Sequence, residues 1–272
     1  MTTASPAPGI RPAPPAPRPR LRGATAEAVF VTRSLRHSFR DGESLLMAIL
    51  LPVMLMLMFT WVFGGAIDPT GGYVDYVVPG IILTCAGFGA SSTALYVATD
   101  MRSGIIDRFR TMPLRASAVL TGHVVASLLR NLVATAIVIV VGILVGFRPD
   151  ASVAEWIALA GLIALYILSI TYLFAAIGLA AASPEGANGY GFILLFLPYL
   201  SSAFVPVASM PEWLQPVAAH QPITPIVDTI RGLISAEPLT TEPWWAVAWC
   251  VVILGAAVVW GSWLFRRRAA RR

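Results

Sequence analysis

Apolar residues along this chain fall into six long runs with short polar connections between them. The runs are Leu45–Phe63, Tyr76–Val97, Val119–Phe147, Trp156–Ala182, Tyr190–Val207 and Trp244–Phe265. Each approaches or exceeds the ~20 residues a helix needs to cross a ~30 Å hydrocarbon core. The pattern predicts an all-α polytopic membrane protein with six transmembrane helices and both termini on one side. Ahead of the first run, Ala24, Ala28, Val31, Leu35 and Phe39 recur at helical spacing, with Arg33, Arg36, His37 and Arg40 opposite. That predicts an N-terminal amphipathic helix over 23–43, lying in the membrane interface with its arginines toward anionic headgroups. A plain solvated helix is the alternative. Between runs five and six, Ser209–Pro243 holds two short apolar stretches broken by Pro216, Pro222 and Pro225. Neither is long enough to span, so the pattern predicts short re-entrant helices. An ordinary outer loop with a surface helix is the other possibility.

Composition agrees with the hydropathy pattern. The chain has 272 residues, 57% hydrophobic and only 12% charged, where a soluble domain has about 25% charged residues. Its mean hydropathy is +0.75. All 19 basic residues are arginine. Without lysine the chain cannot carry the phosphate-binding G-x-x-x-x-G-K-[ST] motif, so it is not expected to hydrolyse ATP by itself. Cys85 and Cys250 lie inside apolar runs and read as small buried hydrophobes. His37, His123 and His220 have no metal-ligand spacing. Seven prolines with interspersed arginines make residues 1–22 a basic tail without regular structure, unlike a signal peptide. The membrane domain is then 44–266, followed by a basic tail at 267–272.

Arginine placement sets the expected orientation. Sixteen of the 19 arginines lie before the first run, between runs two and three, or after the last. The opposite connections carry only Arg148 and Arg231. The positive-inside rule puts both termini and the Ser183–Asn188 connection in the cytoplasm. Arg130 alone lies clearly inside a predicted span. It is either functional or a long side chain that snorkels or pairs with a neighbouring helix. The cluster Gly87, Gly89 and Ala90 reads as a site of close helix packing.

The connection between runs two and three, "DMRSGIIDRFRTMPLR" (residues 100–115), has its own amphipathic pattern. Met101, Ile105, Phe109 and Met112 share one helical face; Asp100, Ser103, Asp107 and Arg110 share the other, with Arg102 and Arg108 at the borders. Pro113 stops the helix. It is either a solvated connector or a docking ridge whose flanking charges set its register. The longer stretch "ATDMRSGIIDRFRTMPLRASAVLTGHVV" (98–125) resembles the signature connection of type-2 ABC exporter permeases, most closely the daunorubicin-resistance branch found in actinobacteria. The resemblance extends to "QPITPIVDTIRGL" (221–233) and covers essentially residues 24–265.

The resemblance implies a permease subunit, not an enzyme, of an exporter for a hydrophobic or amphipathic drug, secondary metabolite or lipid. The connection would be a coupling helix inserted into a separate ATP-binding subunit. Asp100, Arg102, Gly104, Ile105, Ile106, Asp107, Arg108, Phe109, Arg110 and Pro113 would form it. Many relatives carry glutamate at the position of Asp100. The interfacial helix with Arg33, Arg36 and Arg40 would be the second docking element. Two permease chains, as a homodimer, would pair above two ATP-binding subunits, with ATP and Mg bound there and no cofactor on this chain. Membrane lipid is an expected partner; nucleic acid is not. Candidate substrate-path residues are Met54, Met58, Phe88, Arg130, Phe192, Phe196 and Tyr199, with lipid-facing or helix-packing roles as the alternative. A secondary transporter or channel not driven by ATP is the competing class. The absence of acidic residues within the six runs weighs against a proton-coupled carrier.

Overall fold

The computed structural model describes residues 42–69, 71–102, 117–236 and 241–270. Among them every regular element is helical. Helix α1 is Gly42–Leu57; it widens into a π-turn at Met58–Phe63 and closes with a helical turn at Gly64–Ile67. Helices α2 (Tyr73–Arg102), α3 (Ser117–Val145) and α4 (Val153–Ala180) follow. After α5 (Pro184–Leu194) come a 3-10 turn at Leu197–Leu200, α6 (Gln215–His220), α7 (Ile223–Ile234) and α8 (Glu242–Ala270).

Local chemistry sets several boundaries. Ser152 and Glu155 form a reciprocal capping box at the start of α4, satisfying two backbone donors that the helix leaves free. Ser183 caps α5 by accepting from the Gly186 N–H at 3.1 Å. Gly146, at φ +125°, turns the chain out of α3 in a conformation that a β-carbon disfavours.

Helix α2, about 45 Å long at 1.5 Å per residue, is the axis of the bundle. Its Val77, Val78, Ile81, Ile82, Leu83, Cys85, Ala86, Ala90 and Ala94 are fully buried. Helices α1, α3, α4 and α5 surround it, and α8 packs chiefly on α4. An all-round apolar helix is what such a central position requires. By contrast α1 and α8 keep Leu50, Met54, Trp61, Val251, Val252 and Val259 exposed.

Among the described residues, five helices are long and apolar enough to cross a membrane: Ala48–Ile67, Tyr73–Arg102, Gly122–Val145, Val153–Ala180 and Glu242–Leu264. The run Tyr190–Val207, expected as one span, is instead divided. Helix α5 ends at Leu194, four residues before Pro198. A proline ring clashes with the carbonyl four residues earlier and offers no N–H to bond it, so the helix stops there.

This interrupted segment nevertheless lies antiparallel to α2 along most of its length. Glu185 is 3.9 Å from Arg102 at one end. A β-carbon on Gly87 would lie 3.2 Å from Leu195, and one on Gly80 would lie 2.6 Å from the Ala203 carbonyl oxygen. At the far end the Tyr76 and Tyr73 hydroxyls donate to the Ser202 and Phe204 carbonyls at 2.8 and 2.7 Å. The predicted amphipathic helix over 23–43 lies outside the described residues. The two short elements expected between runs five and six are present as α6 and α7.

Candidate functional site

Four groups of side chains stand out along α2. At its Arg102 end, Asp100 Oδ2 sits 2.8 Å from His123 Nε2 of α3. This contact joins the two helices on either side of the 103–116 connection. The Arg102–Glu185 pair is well exposed, so it contributes little to stability. Of the docking residues, only Asp100 and Arg102 are described. Gly104, Ile105, Ile106, Asp107, Arg108, Phe109, Arg110 and Pro113 lie outside the described residues, as do Arg33, Arg36 and Arg40. His123 gave no sequence signal beyond a lone histidine; its partner is 23 residues away.

Halfway along, α2 and α3 share a polar seam inside the bundle. Arg130 is buried to 2% exposure. Its Nη2 donates to the Gly89 carbonyl at 2.8 Å and to Ser92 Oγ at 2.5 Å, and its guanidinium lies 5.9 Å from the Tyr96 ring centre. The next residue of α3, Asn131, donates to Ser127 Oγ at 3.3 Å, which also accepts from Thr93 Oγ1 at 3.0 Å. Gly89 faces Asn131 so closely that no β-carbon fits between them. Interhelical hydrogen bonds of this kind hold transmembrane helices together where water cannot compete. Of the substrate-path candidates, Arg130 therefore points into the α2–α3 contact.

Three of the other candidates, Phe192, Phe196 and Tyr199, lie on an aromatic series joining α5 to α1. Phe192 meets Phe196 edge-on at 5.2 Å; Phe196 lies 6.0 Å from Tyr199, and Tyr199 stacks on Phe204 at 4.8 Å. Phe204 stacks on Phe59 at 4.6 Å, and Phe59 lies 5.6 Å from Phe63. The series reaches the π-turn of α1, a feature that often accompanies function. Phe192, Phe196, Met54 and Met58 are exposed, whereas Phe88 and Tyr199 are half-buried. Phe59 and Phe204 link the two halves of the series; their positions in the sequence gave no hint that they meet. An apolar cavity of about 50 Å³ lies by the break in the interrupted segment, between Leu194, Leu195, Leu197 and Pro198 on one side and Thr84, Tyr166 and Phe174 on the other.

At the Tyr73 end, α7 brings Asp228 and Arg231 to the end of the interrupted segment. Arg231 Nη1 bonds Asp228 Oδ1 at 2.7 Å. Its Nη2 donates to the carbonyls of Ser202 (2.9 Å) and Tyr76 (3.3 Å), and the guanidinium covers the Tyr76 ring at 3.9 Å. Asp228 Oδ1 also accepts from Ser202 Oγ at 2.7 Å. Both residues lie in the 221–233 stretch. Their three-residue spacing on a helix was the available signal that they pair. Among the described residues no group of His, Cys, Asp and Glu could hold a metal ion.

Comparison with known proteins is consistent across most of this architecture. Residues 26–234 match the family described as ABC-2 type transporter. The chain is 31% identical to the daunorubicin resistance ABC transporter permease protein DrrB1 of Streptomyces coeruleorubidus, over 77% of each chain. It is 24% identical to the probable doxorubicin resistance ABC transporter permease protein DrrC of Mycobacterium tuberculosis, over 81% of this chain and 82% of that one. The putative transport permease ycf38 of Pyropia yezoensis is 25% identical over 84% of this chain and 81% of its own. These relatives are permease subunits, and in such transporters ATP is hydrolysed on a separate subunit. With its apolar helices and a match over 26–234, this chain is a multi-pass membrane protein and belongs to the ABC-2 type transporter family of permeases.

Proposed function

We propose that this chain is the transmembrane subunit of an ATP-driven exporter that moves a hydrophobic or amphipathic compound out across a bacterial plasma membrane. The observation that carries this reading is the family membership, with relatives named as drug-resistance permeases. The cargo class is a drug, a secondary metabolite or a lipid. Two copies of the chain pair as a homodimer over two ATP-binding subunits, which hold ATP and Mg. Both termini and the 103–116 connection face the cytoplasm, in keeping with the arginine distribution. The interrupted segment is the sixth crossing, since it accompanies α2 from Arg102 to Tyr73. The Tyr73 end is then the outer end, with α6 and α7 as re-entrant helices beside it.

The geometry supports a lever mechanism. Nucleotide-driven closure of the ATP-binding subunits displaces the 103–116 connection, with Asp107, Arg108 and Arg110 fixing its register. The polar seam and the Asp100–His123 contact make α2 and α3 move together. The displacement travels up α2 to its outer end, where the interrupted crossing is attached. Exposed Met54, Met58, Phe192 and Phe196 supply an apolar, polarizable surface for the cargo, to which half-buried Phe88 and Tyr199 add. Arg130 keeps the seam closed at mid-depth.

Purification of the chain from its native membrane in mild detergent, with mass spectrometry of co-purifying proteins, tests this reading. A near-stoichiometric soluble protein with a phosphate-binding loop is expected. Its absence, even after crosslinking through an Arg110→Cys variant, would sink the docking role of the connection and favour a transporter not driven by ATP. A second test reverses charge: Asp107→Arg with Arg108→Glu should leave membrane insertion intact yet uncouple transport from ATP hydrolysis. Unchanged transport would remove the coupling role.

A further inference from the structure

The interrupted crossing leaves carbonyl oxygens at Ser202 and Phe204 outside any regular helix, and buried backbone acceptors need donors. Tyr73, Tyr76 and Arg231 supply them. Arg231 does more than fill one acceptor. A single guanidinium bonds Asp228 within α7, the Tyr76 carbonyl on α2 and the Ser202 carbonyl of the crossing, and it stacks on the Tyr76 ring. Three separate elements thus meet on one side chain. Attachment of α7 does not require this junction, because Ile223, Ile226, Val227 and Ile230 are already buried on its apolar face. The Arg231 and Asp228 side chains also retain 18% and 34% exposure, so water can replace the bonds when they break. Hydrogen bonds within reach of water exchange at small net cost, whereas making them fixes direction and distance.

We propose that Arg231, with Asp228, is a latch on the outer end of the interrupted crossing, a positioning pair for the export step. This rests on the exporter reading. Closed, the latch holds Ser201–Phe204 against α2 and keeps Phe204 stacked between Tyr199 and Phe59. Movement of α2 carries Tyr76 away from Arg231, Ser202 is released, and the outer half of the crossing swings from α2 to let cargo leave.

The test uses a cysteine reporter in the full complex with its ATP-binding subunit. Cys85 and Cys250 are replaced by alanine, and Ser201→Cys is introduced at a fully buried, near-isosteric position. A membrane-impermeant maleimide is applied from outside. The parent should label slowly at rest and faster when nucleotide is trapped with vanadate. Arg231→Gln should label about tenfold faster or more without nucleotide, since charge-assisted hydrogen bonds hold the closed state. Tyr76→Phe, which removes only the hydroxyl bound to Ser202, should give a smaller increase. Arg231→Lys should fall between Arg231→Gln and the parent, because an ammonium reproduces the charge without the planar fork.

Parental labelling rates in Arg231→Gln and Tyr76→Phe would overturn the latch, while ATP-driven daunorubicin transport by the parent would leave the exporter reading standing. If Arg231→Gln fails to accumulate in membranes, an unchanged rate in Tyr76→Phe overturns the latch by itself. If both variants label faster but nucleotide trapping leaves the parent's rate unchanged, the contact is a latch and the ATP-driven reading falls.

Discussion

Gly89 admits nothing larger than hydrogen where α2 meets α3, because Asn131 fills the space a β-carbon would need. A Gly89→Ala substitution should therefore destabilise the protein by about 1–3 kcal/mol, the usual range for overpacking. Thermal unfolding in detergent checks this. Asn131→Ala should recover much of the loss in the double variant, since it removes the obstructing atoms; additive losses would show that the two sites are independent. At Arg130 the same seam makes a charged side chain tolerable at mid-bundle depth. Arg130→Ala removes a charged donor from the Gly89 carbonyl and the Ser92 hydroxyl, which keep their own mutual bond. It should cost about 1.5–3 kcal/mol in unfolding, the usual worth of hydrogen bonds to a charged group, and loss of the folded protein rather than altered cargo preference should dominate. The glycine cluster was legible in the sequence as a close-packing site. Which residue it packs against was not, because Asn131 lies 42 residues away from Gly89 and carries no mark of its destination.

Among the elements, α5 shows where a hydropathy pattern stops being informative. Tyr190–Val207 has the apolar content of a span, and transfer energy alone reads it as one helix. The steric and hydrogen-bonding effect of Pro198 divides it, and the carbonyls left outside a helix are met by Tyr73, Tyr76 and Arg231. Pro198→Ala restores an N–H and relieves the clash with the carbonyl of Leu194. Hydrogen exchange across 194–200 should then slow as the helix extends. Exchange unchanged from the parent would mean that the tertiary contacts of Ser201–Phe204, not the proline, maintain the break. The same extension would rotate Ser202 and Phe204 away from their donors, so export should fall even if the protein remains folded. Helix α7 carried a clearer signal, with its buried Ile223, Ile226, Ile230 and Leu233 at helical spacing.

For the whole molecule, the arrangement around α2 makes a testable statement about sidedness. Cysteine at Ser209, an exposed position beyond the interrupted crossing, should react with an impermeant reagent on intact cells. Cysteine at Ser103, just after α2, should react only after permeabilisation. The reverse pattern would invert the orientation and with it the direction of transport. The central place of α2 also explains why the export reading assigns it the lever role. Among the described residues it contacts α1, α3, α4, α5 and α7, so an axial displacement passes directly to most of the bundle.

Hydrophobic run lengths and the arginine distribution were enough to establish an all-helical membrane protein and to suggest its orientation, because crossing length and charge retention are one-dimensional quantities. The 98–125 and 221–233 stretches were enough to suggest the family. Tertiary structure alone decided that α2 is the buried axis, that the 190–207 run is broken yet keeps company with α2, and that Arg231 joins three elements. Those outcomes depend on which donor reaches which acceptor across 126 to 155 residues of chain. Periodicity and composition have no term for such separations; packing and hydrogen-bond satisfaction in three dimensions do.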